Sequence, residues 1–392
     1  MVSRPKEVVL VGAGHAHVIA LRDFGCRAVP GGRLTLVSRD FFTPYSGMLP
    51  GLVAGHYRYD DAHIDVRPLA HFAGARLLRD EATGLDLAGR RLLCKEQGPV
   101  PFDILSFDIG SAPNTAGVPG AGEHAVAIKP IDRLLAAFDK LLSRTRERRG
   151  RTHVAMVGAG AGGVELLLSV EARLRFEVAR AGFDPAGLSF TLISGTADIL
   201  PAFPATFRER FRTILTARGF GIVTNAKVVR VGSGRLYLEQ GEPIDADEIL
   251  WATHAAPVQW LSETGLPVDA SGFLRVDDYL RVVGHDAIFA AGDTMAFEPR
   301  NLPKSGVYAV RAGPVLAENI RRATAGQRLK KFRPQERALY LISVGKKYAV
   351  GTRNGITVSG YWVWRWKDWL DRRFMGRFKR LPGKSSTGGA SS

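Results

Sequence analysis

Residues 8–18 read VVLVGAGHAHV. An apolar run, Val8 to Val11, meets Gly12 and Gly14, and the third glycine expected after them is His17. The run reads as a short strand buried on both faces, and the glycines as the turn that carries it into a helix. In a G-x-G-x-x-G turn each glycine has its own task. The first permits the tight turn, the second lets backbone amides approach a pyrophosphate, and the third lets helix and strand pack closely. Gly12 and Gly14 are the two that face phosphate, so anion binding at the helix N-terminus survives the change. His17 is expected either to push the helix off the strand or to point along the ligand groove.

The pattern returns about 146 residues later. THVAMVGAGAGGVELLLSV, Thr152 to Val170, is again strand, turn and helix, now with all three glycines: Gly158, Gly160 and Gly163. Working outward, a helix from His15 to Phe24 and the strand RLTLVSRD (Arg33–Asp40) complete a first β-α-β unit, and LSFTLISG (Leu188–Gly195) completes the second. Between them lie a Gly- and Pro-rich loop, Thr43 to Tyr57, a strand–turn–strand from Ala75 to Cys94, a strand running from Phe102 into a Gly-Ser turn, and a helix near 130–147. DEILWATHAAP and DAIFAAGDT read as later strands, and SGVYAVRAGPVLAENIRR (Ser305–Arg322) as a helix. The fold class is α/β, two Rossmann-like dinucleotide-binding units and a C-terminal extension. The tail, residues 384–392, is small, polar and expected to be disordered.

An acid that holds the adenosine ribose is expected at the end of each second strand. Both are missing: Ser38 stands at the first, followed by Arg39 and Asp40, and Ser194 at the second. The choice between NADH and NADPH is therefore open, although no basic residue directly follows Ser194, which leans against NADPH.

The 392 residues carry 54 Lys and Arg against 38 Asp and Glu, a formal charge of +16. That excess points to anionic partners: nucleotide cofactors, anionic lipid or nucleic acid. Basic residues are spread along the chain and no nucleic-acid motif appears, so nucleic acid is not the expected partner. The two cysteines, Cys26 and Cys94, form no C-x-x-C and no disulfide framework. A strand is reached by Val8, leaving no room for a signal peptide, and no apolar run is long enough to span a bilayer. The expected location is the cytoplasm, with attachment to the inner membrane face open. His15 and His17, spaced i, i+2 on a helix, splay apart and make a poor metal pair; no metal site is expected.

Two dinucleotide units with an IFAAGDT strand beyond the second resemble the two-dinucleotide flavoproteins of the pyridine nucleotide-disulfide oxidoreductase superfamily, with its glutathione-reductase-like fold. GHAHV, LVSRDFFTPYSGMLPGLVAGHY, FDIGSAP and LPKSGVYAVRAGPVLAENIRR look closest to the type II NADH:quinone dehydrogenases and to the NADH dehydrogenase-like module found alone or fused to selenide, water dikinase. The likeness spans residues 7–375, and in that subgroup a His at the third glycine position is usual. It implies a discontinuous FAD-binding domain (1–115 and 265–325), an NAD(P)H-binding domain (120–260) and a C-terminal domain (326–383).

It also implies site residues. Gly12, Gly14 and His17 would form the FAD turn, Ser38 and Arg39 would lie near the adenosine, and Ala82 would offer backbone to the adenine. Ser111 would end the strand returning under the cofactor. Gly292 and Asp293 would reach the ribityl chain, Asp293 alternatively capping the next segment. Lys304, Gly306 and Val307 would aim a helix N-terminus at the flavin pyrimidine edge, where Lys304 would stabilise reduced flavin unless it is simply solvated. Gly158, Gly160 and Gly163 would bind NADH or NADPH, and Glu165 would either sit beside the nicotinamide amide or serve as a helix-start glutamate. Lys304 and Glu165 are the candidate catalytic residues.

Hydride transfer between nicotinamide and flavin needs no side-chain acid or base. Sulfide or disulfide chemistry needs cysteines near the flavin, and neither cysteine sits at such a position. A quinone needs no thiol. YWVWRWKDWLDRRFMGRFKRL, Tyr361 to Leu381, holds four of the six tryptophans among seven basic residues. Read as a helix, it puts Trp362, Val363, Trp366, Trp369, Leu370 and Phe374 on one face and Met375 on the other. Tryptophans and cations together suit a membrane interface; packing on the protein's own body or a homodimer contact are the alternatives. The leading reading is an FAD enzyme passing electrons from NAD(P)H to a quinone at the membrane surface. A soluble reductase of sulfur or selenium compounds, and a non-catalytic flavin-bound or nucleic-acid-binding protein, are the competing ones.

Overall fold

The computed structural model describes residues 4–115, 117–253 and 255–382. The polar tail lies outside the described residues. The chain runs through β1 (Lys6–Val11), α1 (His15–Cys26), β2 (Gly32–Ser38), β3 (Arg76–Arg79) and β4 (Ile104–Phe107). There follow β5 (Val126–Ala127), α2 (Ile131–Glu147), β6 (Thr152–Val157), α3 (Ala161–Arg180), β7 (Leu188–Ile193), α4 (Ala205–Ala217), β8 (Gly221–Val223) and β9 (Glu248–Trp251). It closes with β10 (Ile288–Ala290), α5 (Gly306–Thr324), β11 (Tyr340–Ser343), β12 (Ala349–Arg353), β13 (Ile356–Gly360) and α6 (Tyr361–Lys379).

Two five-stranded parallel sheets carry the molecule, in the orders β10-β4-β1-β2-β3 and β5-β9-β6-β7-β8. Each central strand is apolar over its last four residues, Val8–Val11 and Val154–Val157, because both its faces are covered there. Val8 to Val11 are at most 1% exposed, and Val154, Ala155 and Met156 are fully buried. The strand late in the chain, β10, pairs with β4 and so belongs to the first sheet. This brings Gly292 and Asp293 to the same edge as the turn after β1. α5 lies along α1, close enough that a Cβ on Gly313 would stand 2.8 Å from Ile19.

The segment from Ala75 to Cys94 forms three strands rather than two: β3 joins the first sheet, while Ala82–Asp86 and Arg91–Cys94 form a separate antiparallel hairpin. The chain after α5 forms a three-stranded antiparallel sheet, β11-β12-β13, and then α6. α6 corrects the sequence reading of its faces. Val363, Phe374 and Met375 are buried together with Lys367, Asp371 and Phe378, while Tyr361, Trp362, Trp366 and Trp369 are exposed. The buried side chains recur at i, i+4, i+8 and i+11, so the helix packs by a stripe that includes an ion pair, and the tryptophans line the outside. Among the described residues no helix is long and apolar enough to cross a membrane.

Candidate functional site

The two glycine turns solve the same geometric problem differently. Gly12 has φ +84° and Gly158 φ +113°, backbone that L side chains rarely adopt. In the second turn a Cβ on Gly163 would stand 2.0 Å from the Gly158 carbonyl oxygen, which is why the third glycine is needed there. In the first turn His17 occupies the equivalent position, and its ring meets the Gly12 carbonyl at 2.6 Å through Nδ1. Its Nε2 lies 2.8 Å from Ser106 Oγ. Nδ1–H donates to the carbonyl and Nε2 accepts from the hydroxyl. Burial pushes the ring's pKa down to about 4, so it is neutral. His17 thus neither displaces the helix nor reaches along the groove. With no exposed surface and both nitrogens engaged, it replaces close packing with two hydrogen bonds, and its place among the cofactor contacts is corrected to a packing role.

The helices α1, α3 and α5 start at Gly14, Gly160 and Ser305, none with a side-chain cap of its own. The amides of α1 at Ala16 and His17 are taken by the Asp108 carboxyl; the uncapped starts of α3 and α5, with the positive end of the helix dipole, suit anionic or polar ligand groups. Gly160 faces open space: a Cβ there would meet nothing within 4 Å. His15, the first residue of α1, is half-buried with its Nε2 enclosed and unpartnered, and desolvation lowers its pKa to about 4.

A cleft of about 800 Å³ lies between the two sheets. It gathers Ser111, Asp293 and Lys304 from the first unit with Gly160 and Gly163 from the second. Lys129, which ends just after β5, reaches across it. Its Nζ donates to Asp293 Oδ2 at 2.8 Å and to Ser111 Oγ at 3.3 Å, while Ser111 Oγ donates to the same carboxylate at 3.0 Å. Burial alone would push Asp293 up, but the charge of Lys129 and these hydrogen bonds outweigh it and hold the carboxyl below its usual range. Lys304 donates to the Met295 carbonyl, with its ammonium 3.5 Å from the Phe273 ring centroid. Burial brings its pKa down to about 8, against the pull of Asp293 and Asp269. Lys304 is therefore a half-buried cation on the cleft wall, not a solvated surface lysine. Gly306 and Val307 open α5 beside it.

Other expected residues sit apart. Ser38 ends β2 and donates to the Asp40 carbonyl at 2.8 Å; Arg39 is exposed and paired with the Asp40 carboxylate. Ala82 opens the hairpin strand opposite Cys94. Glu165 is not on the cleft wall. It turns toward the C-terminal segment, where its Oε1 accepts from the Ser343 amide at 2.7 Å and Lys367 lies near. Desolvation pushes its carboxyl up, against both partners.

Sequence reasoning missed five side chains. Asp108 is 2% exposed at the edge of the first turn. A charge closing the apolar run ILSF was its signal. Tyr45 stacks on Phe374 at 4.6 Å and hydrogen-bonds Asp371; Asp371 pairs with Lys367 at 2.8 Å; Lys367 also donates to the Gly47 carbonyl. α6 is thereby tied to the loop beside the first glycine turn. Nothing in the sequence marked Lys129.

Comparison with known proteins bears directly on this architecture. The family model for pyridine nucleotide-disulphide oxidoreductases matches residues 6–313. The chain belongs to the pyridine nucleotide-disulphide oxidoreductase family. It is an oxidoreductase that uses a pyridine nucleotide, on a fold that carries an FAD site. Among curated relatives, the type II NADH:quinone oxidoreductase of Staphylococcus aureus is 23% identical over 370 residues, 91% of each chain. The NADH dehydrogenase-like protein YutJ of Bacillus subtilis is 23% identical over 352 residues, covering 88% of this chain and 92% of that one. Two solved structures share the fold. NDH2 of Plasmodium falciparum in complex with NADH superposes with a TM-score of 0.81 at 16% identity, over 96% of this chain and 97% of its own. The sulfide:quinone oxidoreductase of Aquifex aeolicus gives 0.79 at 16% identity, over 95% and 91%.

Proposed function

We infer that the protein is an FAD-dependent NAD(P)H dehydrogenase that delivers electrons to a quinone-type acceptor at a membrane surface. One observation carries the reading: a single cleft joins the uncapped start of α3 to Asp293 and Lys304 at the edge of the first sheet. The groups present fit both cofactors. The side-chain-free turn at Gly12 and Gly14, the unpartnered His15 ring and the open start of α5 suit FAD, with Asp108 sharing the amides of α1; the open space at Gly160 suits a nicotinamide dinucleotide. Bound there, FAD supplies two-electron acceptance from nicotinamide and electron donation to quinone.

The chain's own residues do the positioning. Residues 1–115 and 265–325 hold FAD, and 120–260 hold NADH or NADPH. Asp293, kept ionised by Lys129, is an acceptor for a cofactor hydroxyl, as the resemblance implies. Lys304 and the start of α5 set positive potential on the cleft wall. Ser38, Arg39 and Ala82 flank the adenosine end. Glu165, half-buried on α3, and Lys367, buried on α6, lie outside the cleft walls. Cys94, its thiol pushed by burial up to about 11, and the exposed Cys26 are both outside the cleft walls, which supports an acceptor that needs no thiol.

Tyr361, Trp362, Trp366 and Trp369 project from α6 with Arg365, Arg373 and Arg377, the composition of a helix lying in a lipid interface. The test is anaerobic titration of purified holoprotein with NADH and NADPH. Bleaching of the flavin band, restored by a soluble quinone, supports the reading; bound flavin that neither nucleotide reduces refutes it.

A further inference from the structure

Asp108 follows β4 and enters the first glycine turn from the neighbouring strand. The amides at the start of α1 converge on it. Gly14 N–H donates to the Asp108 carbonyl at 3.1 Å, and Ala16 and His17 N–H donate to its Oδ2 at 2.7 and 2.9 Å. The carboxyl is wedged between the two glycines that approach the cofactor line: a Cβ on Gly14 or on Gly292 would stand 2.4 Å from it. A buried carboxyl therefore already occupies the anion-binding end of the helix that the fold presents to the FAD diphosphate.

Two anions cannot share one helix end without repulsion. We propose that Asp108 couples FAD binding to proton uptake: the diphosphate is accepted at the Gly12–Gly14 turn as the Asp108 carboxyl takes up a proton. This deepens the functional reading above and rests on it. Nothing is oxidised in the step; one proton moves from solvent to a carboxylate oxygen. Asp108 acts through the amides it holds and is a positioning residue.

The surroundings agree. Burial, opposed by the two amide hydrogen bonds and reinforced by Asp293, already brings the carboxyl's pKa to about 7 before any cofactor charge is added. The groups facing it are few. From α1 come His15 and His17, both neutral. From the turn after β10 comes Asp293, neutralised in part by Lys129, with Lys304 beyond. From β4 comes the Ser106 hydroxyl, already bound to His17. No cation in this set pairs with Asp108 itself, so a proton is the available counter-charge. Below about 7 the carboxyl is neutral and the site is ready for the diphosphate; above it, binding must first recruit the proton.

The experiment measures FAD release on dilution of full-length holoprotein, by recovery of flavin fluorescence, at pH values on both sides of about 7. The expected result is a plateau on the acid side and, above it, affinity falling by up to about tenfold per pH unit. Asp108→Asn keeps an acceptor for the amides and removes the charge; its FAD affinity should match the acid plateau of the natural protein at every pH. Should that variant fail to fold, calorimetry of FAD rebinding to the natural protein in two buffers of different ionisation enthalpy decides the matter. Uptake approaching about one proton per FAD at alkaline pH is expected. Equal pH dependence in Asp108→Asn, or binding without proton exchange, overturns the coupling while leaving the FAD reading intact. A chain that takes up no FAD at any pH overturns both.

Discussion

Gly160→Ala isolates nucleotide binding from folding. Gly160 is the N-cap of α3, at φ −75° and ψ 177°, a conformation alanine adopts freely. Its added methyl would meet no protein atom within 4 Å. The cost to the fold is that of an N-cap glycine changed to alanine, on the order of a few tenths of a kcal/mol to about 1. The cost to the ligand is larger. The methyl stands where the diphosphate must approach the amides of α3, and loss of one charge-assisted hydrogen bond is worth about 1.5–3 kcal/mol. NADH should bind about 10- to 150-fold more weakly, with the flavin spectrum unchanged. Gly163→Ala gives the contrast. Its Cβ would sit 2.0 Å from the Gly158 carbonyl oxygen and 3.2 Å from the Ala252 Cβ, mostly backbone that cannot yield, so α3 must shift and stability falls. Anaerobic stopped-flow reduction at rising NADH gives the dissociation constant, and thermal melting reports the fold. Natural NADH affinity in a well-folded Gly160→Ala protein would refute the placing of the nucleotide at this turn.

Lys367→Met removes the partner of buried Asp371 and the donor to Gly47, and should cost about 3–5 kcal/mol in denaturant unfolding; Lys367→Met with Asp371→Leu should recover much of it. Trp362→Ala with Trp369→Ala, at side chains 55% and 53% exposed, should leave melting unchanged and reduce co-sedimentation with anionic vesicles; undiminished binding would reassign this face. His15 and His17 have folded pKa values lowered from 6.5 to about 4, so the unfolded chain takes up protons first as pH falls. Each ring's contribution is retained above 6.5 and drops by about 1.4 kcal/mol per pH unit between 6.5 and about 4, opposed over that window by Asp108, whose raised pKa of about 7 has the opposite sign; His17→Gln should lower the slope of stability against pH by about 1.4 kcal/mol per unit in unfolding curves.

What was legible in the sequence was backbone. Val8–Val11 and the glycines after them had to be a buried strand and a turn, because few other structures use bare backbone beside an apolar run, and the repeat at Gly158 made the fold a doubled one. Periodicity also found α3 and α5. It grouped Val363 and Phe374 with the tryptophans of α6 because helical spacing alone does not say which part of a broad apolar face meets the core; the structure buries those two with Met375 and leaves Trp362, Trp366 and Trp369 outside. The helix instead buries Lys367 with Asp371, a pair whose mutual attraction is invisible until the Gly47 carbonyl and Tyr45 are brought beside it. The same limit explains Lys129, Glu165 and His17. A lysine from one unit reaching Asp293 in the other, a glutamate bonded to Ser343 and a histidine between Gly12 and Ser106 are long-range pairings that no local spacing encodes. Asp108 stands between these cases. Its position after ILSF advertised a buried charge, and burial of a carboxylate demands donors or a proton. The structure supplies the donors from α1, and these are the amides a dinucleotide would use. The departure from a standard glycine turn thus involves two residues together. His17 gives the helix a hydrogen-bonded seat where a glycine would have given a packed one, and Asp108 takes up the amides beside it, so a ligand would meet amides that a carboxyl already holds.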